Sequence, residues 1–449
     1  MATREGSLGA PTRHRIPWTD ADFVDPAKLD AEMRRIFDIC HTCRRCFNLC
    51  DSFPRLFDLI DSSESGELDG VASPDFKKVV DACTLCDMCF MTKCPYVPPH
   101  EFNVDFPHLM LRYRAAELAH GKASFVEGQI AETDRNGRLA GAVAPLVNWA
   151  TREGNGITRP AMEKIAGIDR NAALPKFHGK TLTARARTDK PVVNAEAPGL
   201  GRKAVLYATC YGNYNNPEIG EAARAVLAKN GVETEVAYPG CCGMPMLEHG
   251  DIARVARNAA QVSAALCAWI DKGYDVIALV PSCALMLKFE WPLIVPDDDN
   301  VKRLAAATRD IAEYVVDIAK TEGLAPGLKP LEGGIAVHLA CHARAQNLGP
   351  KAAEMLRLIP ETDVQAIERC SGHGGSWGIK KDNFEVAIKQ GRPVARQAAE
   401  AAKRHVVSEC PLAGTHILQG MQRLAGDGAP APPAEAPHPI QLVARAYGL

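Results

Sequence analysis

The second half of the chain alternates short runs rich in apolar and β-branched residues with longer amphipathic stretches. The short runs are residues 203–209, 233–237, 275–280, 335–340, 363–367 and 405–408. Runs of this length are typical of strands, whereas the patterns at 217–230 and 251–272 have the length and spacing of helices. Alternating strands and helices build parallel βαβ units, so the pattern predicts an α/β fold in this half.

A cysteine follows each of the six predicted strands, and the series occurs twice. The first copy has Cys210, the motif Cys241-Cys242-Gly243 and Cys283, and the second has Cys341, the motif Cys370-Ser371-Gly372 and Cys410. Corresponding positions are 131, 129 and 127 residues apart, which indicates a duplicated unit. Ligands bind beyond the carboxyl ends of parallel strands, so both copies are predicted to be binding sites.

The first half of the chain has a different pattern. Residues 105–175 are predicted to be mostly helical, and the segment 178–203, which is rich in basic residues and Pro, is predicted to be an inter-domain linker. The first segment shows no candidate chemistry, and a basic membrane-surface patch is the alternative interpretation of the second. The predicted parts are a domain with two cysteine runs at 1–122, a helical connector and linker at 123–202, and the two repeat units at 203–330 and 331–449.

Composition excludes several classes of protein. Of the 449 residues, 47% are hydrophobic and 24% are charged, as in ordinary globular proteins. The formal net charge of −2 leaves no basic excess for binding a nucleic-acid backbone. No apolar run approaches the roughly 20 residues that span a bilayer, and no secretory signal is recognised. The 16 cysteines therefore predict metal or redox chemistry in a reducing, cytoplasmic compartment.

Two cysteine runs near the N-terminus carry the strongest chemical signal. Three cysteines at two-residue steps can wrap one corner of a cubic cluster, and soft thiolates suit iron–sulfur centres. In two-cluster ferredoxins the fourth cysteine of each run binds the other cluster. The spacing therefore predicts two [4Fe–4S] clusters with crossed ligands, one held by Cys40, Cys43, Cys46 and Cys94, and the other held by Cys83, Cys86, Cys89 and Cys50.

Structural zinc is the alternative for these two runs. Zinc sites use two cysteine pairs separated by a longer loop. Each run instead carries a third cysteine at the same short step, which favours iron–sulfur ligation. Two features depart from a minimal ferredoxin: Asp51 replaces the usual proline after the first run, and 32 residues separate Cys50 from Cys83.

Four stretches carry a resemblance to a known family. They are CYGNYNNP at 210–217, CCGMP at 241–245, Cys341-His342, and CSGHGGSWGIKKDN at 370–383. These stretches resemble the CCG domains in the B subunit of heterodisulfide reductase, and residues 35–449 are similar to the C subunit of anaerobic glycerol-3-phosphate dehydrogenases. The resemblance implies an N-terminal helical two-cluster ferredoxin-like domain followed by two duplicated βαβ-type CCG domains, α/β overall.

The sequence departs from the full CCG motif, which supplies five cysteines and ends in C-x-x-C. Met286 and Ala413 stand where the last cysteine of each copy belongs, and Ser371 replaces one cysteine of the second pair. The first copy thus keeps four thiols and the second keeps three. Four thiolates complete an ordinary [4Fe–4S] cluster, whereas three leave a position for His342, His373, water or a substrate. A hydrogen-bonded loop imidazole is the alternative interpretation of both histidines.

These features lead to three hypotheses about function. The leading one is an iron–sulfur electron-transfer subunit or oxidoreductase with two [4Fe–4S] clusters in the N-terminal domain and one or two further clusters in the CCG domains. Following the resemblance, it passes electrons between a flavoprotein dehydrogenase or other redox partner and quinone or another acceptor. A peroxide-reducing diiron protein is the alternative partner. Its expected location is cytoplasmic, or peripheral at the inner face of the membrane through a partner.

The second hypothesis is a heterodisulfide-reductase-like enzyme that reduces a disulfide or a related substrate at a CCG-bound cluster. Three thiols at the second site would leave an exchangeable position on the metal, as a catalytic metal needs. The third is a non-enzymatic, structural metal-binding subunit. No nucleotide-binding or hydrolase motif is present in the sequence, so the primary hydride chemistry is expected to belong to a partner.

Overall fold

The computed structural model describes residues 10–426 and 428–449. Within it, residues 10–202 form helices and connecting loops, and the named strands all come later. The helices of this region are α1 Pro26–Cys43, α2 Ser52–Asp61, α3 Lys77–Val80, α4 Phe106–Ala119, α5 Phe125–Ala131, α6 Thr133–Ala142, α7 Ala144–Thr151, α8 Thr158–Ala166 and α9 Leu182–Thr188. The helical prediction for residues 105–175 is confirmed.

The first repeat unit runs from β1 to α17 and contains a four-stranded parallel sheet of order β2-β1-β3-β4. Its elements are β1 Lys203–Tyr207, α10 Cys210–Tyr214, α11 Pro217–Lys229, β2 Glu233–Ala237, α12 Met244–Glu248, α13 Ile252–Ile270, β3 Asp275–Ala278, α14 Pro281–Leu285, α15 Trp291–Ile294, α16 Asp299–Ala307, β4 Thr308–Asp310 and α17 Ile311–Thr321. The three predicted strands are confirmed.

The second unit repeats this plan with a three-stranded parallel sheet of order β6-β5-β7. Its elements are β5 Ile335–His338, α18 Cys341–Ala345, α19 Lys351–Leu356, β6 Val364–Ile367, α20 Phe384–Glu400, β7 His405–Ser408, α21 Pro411–Gly426 and α22 Pro439–Tyr447. The sequence pattern did not predict β4 of the first unit, because its three residues Thr-Arg-Asp show no apolar run.

Helices cover both faces of each sheet, so the central strands are buried on both sides. In β1, residues 204–207 are all buried, and β1 lies between β2 and β3. One face of the first sheet packs with α13 and the N-terminal helices in a single core. The other face shares a core with the second unit, in which the C-terminal helix α22 packs against α11. The three regions therefore form one continuous packed body.

The segment predicted as a linker is folded onto the first unit. Helix α9 lies within it, and its Leu182 is fully buried in the core that both units share. Arg185 forms ion pairs with Glu218 at 3.2 Å and with Glu221 at 3.0 Å, both on α11. The sequence pattern did not predict that this segment packs against the first unit, because Leu182 is its one residue in the shared core and polar residues surround it in the sequence.

His338 ends β5 and is buried in the second unit. Its Nδ1 atom lies 2.9 Å from Ser408 Oγ, and its Nε2 atom lies 3.0 Å from the carbonyl oxygen of Arg369. Burial lowers the pKa of His338 to about 4. The imidazole is therefore neutral in the folded chain at neutral pH, and it joins β5, β7 and the loop that leads to Cys370.

We predict that His338 makes the second unit sensitive to acid. Its folded-state pKa lies below the unfolded value of about 6.5, so the unfolded chain takes up the proton first as the pH falls. The contribution of neutral His338 to the free energy of unfolding is fully present above pH 6.5. It is lost as the pH falls from 6.5 to about 4. The free energy of unfolding falls between pH 7 and pH 5, and His338→Gln is expected to make this decrease about 1–2 kcal/mol smaller. Anaerobic urea unfolding at both pH values is the measurement.

Exposed His120 supplies the matched control, as His120→Gln. The control should leave the slope of stability against pH unchanged. An unchanged slope in His338→Gln as well would contradict the prediction.

Candidate functional site

The first cysteine run closes helix α1. Cys40 and Cys43 lie in its last turn, and Arg44 ends the helix in the left-handed conformation, with φ of 50°, so the chain turns sharply before Cys46. Burial raises the pKa of the Cys40 thiol well above its usual value, and the nearby thiols of Cys94, Cys46 and Cys43 raise it further. The four thiols that were assigned to one site are therefore neighbours.

The second predicted set is gathered in the same crossed manner. Burial raises the pKa of Cys50 well above the usual value, with further contributions from Cys86 and Cys83. Burial also raises the pKa of Cys89. Further contributions to this shift come from Cys86, Cys83 and Cys50. Cys50 thus lies with the second run although it belongs to the first in sequence. The ligand assignment itself stays a prediction.

A buried ion network ties the second run to the first unit. Arg13 forms ion pairs with Asp87 at 2.7 Å, with Asp105 at 3.0 Å and with Glu290 at 2.9 Å, and His108 lies 3.1 Å from Glu290. Burial alone would raise the pKa of Glu290, but His108 and Arg13 lower it to about 2. Breaking such a network typically costs about 3–5 kcal/mol, so the cysteine loop is held firmly in place.

The four cysteines of the first unit form two close pairs at the carboxyl edge of its sheet. Cys210 follows β1, Cys241 and Cys242 follow β2, and Cys283 follows β3. The Sγ atoms of Cys210 and Cys241 are 3.8 Å apart, and those of Cys242 and Cys283 are 3.3 Å apart. Hydrogen bonds from Cys210 and Cys242 lower the pKa of Cys241 well below the usual thiol value. Cys241 is therefore the thiol of this set that ionises most readily.

Uncommon backbone conformations orient these thiols. Thr209 has φ of 58° and ψ of 161°, which is strained for a β-branched residue, and its side chain accepts a hydrogen bond from Gly212 N. Gly243 has φ of 87°, and a Cβ atom there would lie 3.2 Å from Val255. The Gly243 N–H donates to Cys241 Sγ at 3.4 Å. The glycine of the motif thus permits both the turn and the bond to sulfur.

Helix α6 contributes two groups that sequence analysis missed. Thr133 Oγ1 donates to Cys241 Sγ at 3.3 Å, and the backbone N–H of Cys241 donates to Asp134 Oδ2 at 3.1 Å. The Tyr238 hydroxyl donates to the same carboxylate. Sequence analysis assigned no chemistry to residues 105–175 and so did not anticipate these contacts with Cys241. A Thr-Asp pair at a helix start is a common capping pattern and did not identify the contact.

The second unit places two of its thiols against the N-terminal region. Cys341 follows β5 and Cys370 follows β6. The Cys341 thiol interacts with the thiols of Cys370 and Cys86, and these interactions raise its pKa well above the usual value. The contact with Cys341 lowers the pKa of Cys370 to about 7. Cys86, from the second run, therefore lies directly beside the second unit's cysteines.

Cys410, the third cysteine of the second unit, faces the first unit. It follows β7, and its backbone N–H donates to Ser408 Oγ at 3.2 Å. Burial raises the pKa of Cys410, and Glu409 and Cys283 act in the same direction. The structure thus places Cys410 within the electrostatic influence of the first unit's set, whereas Cys341 contacts the N-terminal region.

The second motif keeps the backbone of the first. Gly372 has φ of 77°, and a Cβ atom there would lie 2.1 Å from the carbonyl oxygen of Ala387. Its N–H donates to Cys370 Sγ at 3.3 Å. Ser371 is buried, and its Oγ accepts a hydrogen bond from His373 N at 3.4 Å. The loss of the paired cysteine has therefore left the turn itself intact.

Both ring nitrogens of His342 are engaged. Nδ1 lies 2.8 Å from Ser282 Oγ, and Nε2 lies 3.2 Å from the carbonyl oxygen of Leu85. A carbonyl oxygen accepts hydrogen bonds only, so Nε2 donates to Leu85. This arrangement fits the hydrogen-bonded loop imidazole and links the first unit to the second cysteine run.

His373 lies beside a second buried imidazole. Its ring meets that of His416 edge-on at 5.7 Å between centroids, and burial lowers the pKa of His373 to about 3. Both rings, together with Tyr211 and Gln419, line a cavity of about 30 Å³, which has room for a water molecule. The Nε2 atom of His416 is buried and has no hydrogen-bond partner in the described chain.

The donor set suits iron–sulfur clusters. All 16 cysteines are free of disulfides, and backbone N–H groups donate to Cys241 and Cys370 sulfur, as around protein-bound clusters. In residues 10–426 and 428–449, no three His, Cys, Asp or Glu side chains converge tightly enough to hold a single metal ion. The thiolates around a four-iron cube bind four separate irons, so they need not converge on one point.

Comparison with known proteins identifies the two repeat units. The cysteine-rich CCG domain family matches residues 204–288 and 335–417, which contain all seven cysteines of the two sets. The chain therefore carries two copies of the CCG domain, as the sequence motifs predict. The first match lies within the first unit and the second match within the second unit, so each unit contains one CCG domain.

Relatives of the chain are named as redox proteins. The C subunit of the anaerobic glycerol-3-phosphate dehydrogenase of Escherichia coli strain K12 is 27% identical over 322 residues, which covers 71% of this chain and 76% of the relative. The B subunit of the fumarate reductase (CoM/CoB) of Methanothermobacter marburgensis is 24% identical over 288 residues, which covers 63% of this chain and 53% of the relative.

A third relative is an iron–sulfur protein of Methanocaldococcus jannaschii, 26% identical over 227 residues, which covers 49% of this chain and 42% of the relative. The predicted resemblance is confirmed, and these relatives support iron–sulfur clusters and a role in redox electron transfer. Separately, none of the helices in the described residues combines the length and apolarity needed to cross a bilayer.

We predict that Cys94→Ala damages the cluster assigned to Cys40, Cys43 and Cys46, because the Cys94 thiol lies among these three. Mössbauer and EPR spectra of the anaerobically purified variant should show one N-terminal cluster changed and the other intact. Cys267→Ala is the matched control, since Cys267 is buried, donates to the carbonyl oxygen of Asn300 and belongs to none of the predicted sets. Loss confined to the Cys83 cluster would refute the assignment.

We predict that the two CCG sites differ in stability. Cys242→Ser should remove up to about four irons per chain, because it removes one of four thiols from the first set. Ser371→Cys should be tolerated and should slow iron loss from the second site in air, because a thiolate is a softer ligand than a hydroxyl. Iron content after timed air exposure is the measurement. Equal iron retention by both sites, with no effect of either substitution, would contradict the asymmetry.

Proposed function

We propose that this chain is the iron–sulfur electron-transfer subunit of a redox complex. Two [4Fe–4S] clusters would be held in the N-terminal region by the crossed cysteine sets, in a ferredoxin-like domain. A further cluster would be held by the four thiols of the first CCG domain, and another by Cys341, Cys370 and Cys410 of the second. When bound, such clusters supply one-electron chemistry at potentials set by their surroundings.

The contact of Cys86 with Cys341 carries the proposal. It joins a predicted ligand of the N-terminal region to a predicted ligand of the second CCG domain, with Cys370 also in contact. At the same carboxyl edge of that domain, Cys410 lies under the electrostatic influence of Cys283 in the first CCG domain. The cysteine sets therefore form a series in the order N-terminal region, second CCG domain, first CCG domain.

The surroundings of each set suit a centre that stays in place while its charge changes. The Arg13 network fixes Asp87 within the second run, and His342 links Leu85 of that run to Ser282. Thr133 and the Gly243 N–H donate to the sulfur of Cys241, and donors to sulfur stabilise the negative charge of a reduced centre. These contacts tie the cysteine loops to their neighbours and so favour fixed positions for the sets.

The partner proposals follow from the family resemblance of the sequence motifs. A flavoprotein dehydrogenase is the proposed electron donor, with a peroxide-reducing diiron protein as the alternative partner, and quinone is the proposed acceptor. Two relatives are named as subunits, one of a dehydrogenase and one of a reductase. Their names support the proposal that this chain works within a complex of several subunits. A cytoplasmic chain that meets the membrane peripherally is the proposed location.

The test of the proposed function measures iron content and electron delivery together. Anaerobically purified protein should contain about 12–16 irons per chain, against about eight if only the N-terminal sites fill, at four irons per cluster. After photoreduction, it should reduce a water-soluble quinone analogue. Cys341→Ser should slow this reaction at least about tenfold while about eight irons remain bound.

Cys267→Ala again serves as the control and should match the unmodified chain in both measurements. The proposal fails if the chain binds no more than about eight irons and Cys341→Ser leaves quinone reduction unchanged.

A second candidate is reduction of a disulfide or related substrate at the second CCG domain. The observation that favours it is the three-thiol set, with buried Ser371 in place of the fourth. This candidate is tested by measuring, without oxygen, whether the reduced chain reduces small disulfides. If the candidate function is correct, the chain turns these substrates over, Cys370→Ser abolishes the activity and Cys267→Ala leaves it unchanged.

A further inference from the structure

A cavity of about 300 Å³ opens beside helices α1 and α4 in the N-terminal region. We call it the N-terminal cavity. Its volume is at the lower end of the range for small-molecule sites. Its floor is apolar and consists of five buried residues: Ile16, Phe23, Ile36, Pro98 and Leu109. None of the residues that line the cavity belongs to a predicted cysteine set.

The segment before α1 forms one wall of the cavity and is tied to the first unit. The backbone N–H of Ile16 donates to the carbonyl oxygen of Leu293 at 2.8 Å. Trp18 Nε1 donates to the carbonyl oxygen of Ile294, also at 2.8 Å. Because these bonds hold the wall in place, the cavity exists before a ligand enters it, and little ordering of the chain opposes binding.

The N-terminal cavity lies beside the cysteines assigned to the first cluster. Ile36, in its floor, precedes Cys40 by one turn of α1, which separates their Cα atoms by about 6 Å. Burial raises the pKa of Cys94, and the negative charge of Asp105, which lines the cavity, raises it further. A ligand in the cavity is therefore close to a centre held by Cys40 and Cys94.

Two hydrogen-bond donors that line the cavity lack an acceptor among the residues that the structure describes. Arg112 donates through Nε to the carbonyl oxygen of Phe23 and through Nη2 to that of Asp22, both at 2.7 Å, whereas its Nη1 has no such partner. The side-chain amide of Asn103 likewise forms no hydrogen bond within that part of the chain. A ligand with two acceptor oxygens would pair both donors.

The charge around the cavity does not select an ionic ligand. Four carboxylates and two guanidinium groups line it: Asp20, Asp22, Glu32, Asp105, Arg15 and Arg112. Burial lowers the pKa of Arg112, and the negative charges of Glu32, Asp22 and Asp25 oppose this shift, so carboxylates already surround its guanidinium. Two of these carboxylates also pair with cations of α1. Neither sign is in clear excess, and the apolar floor favours an uncharged ligand.

We propose that the N-terminal cavity binds the quinone that accepts electrons from this chain. A quinone is an uncharged, planar ring with two acceptor oxygens, which matches the apolar floor and the unpaired donors of Arg112 and Asn103. The assignment of a quinone rests on the proposed electron-transfer function. It adds the place where the quinone binds and the residues that hold it.

The reaction at this site balances with the partners already proposed. Two electrons pass to the quinone, one at a time, from the cluster assigned to Cys40, Cys43, Cys46 and Cys94. Two protons from water at the mouth of the cavity bind to the two ring oxygens, and the product is the quinol. The flavoprotein donor replaces the electrons through the CCG domains, so they must pass Cys341, in agreement with the slower quinone reduction expected of Cys341→Ser.

Equilibrium dialysis of the oxidised, iron-loaded chain tests binding without electron transfer. The probe is duroquinone, whose fully substituted ring cannot add to cysteine thiols. Durene has the same ring and methyl groups without the carbonyl oxygens, so it should bind at least about tenfold more weakly. Inorganic phosphate should not displace duroquinone. The proposal is overturned if duroquinone shows no saturable binding, if durene binds equally well, or if phosphate competes.

Asn103→Asp removes one donor and leaves the backbone conformation accessible. Asn103 is exposed and has φ of 45°, a left-handed conformation that Asp also adopts. A carboxylate of nearly the same shape cannot donate to a quinone oxygen, so duroquinone should bind at least about tenfold more weakly. Arg112→Gln should weaken binding about fivefold. Unchanged iron content verifies that each variant has folded.

Asn347→Asp is the matched control. Asn347 is likewise exposed, has φ of 54° and lies outside the residues that line the cavity. This variant should bind duroquinone as the unmodified chain does. Equal dissociation constants for Asn103→Asp and Asn347→Asp would overturn the proposal.

Steady-state reduction of duroquinone distinguishes the site from the function on which it rests. Asn103→Asp should raise the KM for duroquinone about tenfold with little change in kcat, whereas Cys341→Ser should keep the binding and lose the electron delivery. If the chain binds duroquinone through Asn103 but does not reduce it, the proposed function fails and the binding site stands. If the chain reduces duroquinone and neither Asn103→Asp nor Arg112→Gln changes KM, the site fails and the function stands.

Discussion

Parallel strands end at the same edge of a sheet, and this constraint controls where the cysteines of the two CCG domains can lie. Cys210 and Cys283 follow neighbouring strands of the first sheet, and Cys341 and Cys410 follow neighbouring strands of the second. The two carboxyl edges approach each other and the N-terminal helices. Three separate parts of the sequence therefore bring their thiols to one interior region without a disulfide between them.

Buried charge and shared core keep this arrangement rigid. The N-terminal helices share a hydrophobic core with one face of the first sheet, and the second unit shares the core on the other face. Arg13 adds an ion network whose members are expensive to expose singly, because each would leave an unpaired buried charge. Rigid placement matters for electron transfer, since the centres must stay close while their charge changes.

Duplication gave the chain two similar sites, and divergence then made them different. The glycine turn persists in both motifs at Gly243 and Gly372, and each donates its N–H to a cysteine sulfur. The first site keeps four thiols and gains Thr133 and Asp134 from a connector helix. The second keeps three thiols and has a buried pair of histidines nearby. The backbone of the motif is thus more constant than its ligands.

The sequence by itself determined the α/β class, six of the seven strands, the position of a cysteine after each and the two N-terminal runs, because apolar periodicity and ligand spacing are local properties. Only the tertiary structure decided which sets meet. The contact of Cys86 with Cys341, the bond of Thr133 to Cys241 and the engagement of both His342 nitrogens join residues more than 50 positions apart. Such contacts depend on how helices and sheets pack, and no short-range pattern in the chain records that packing.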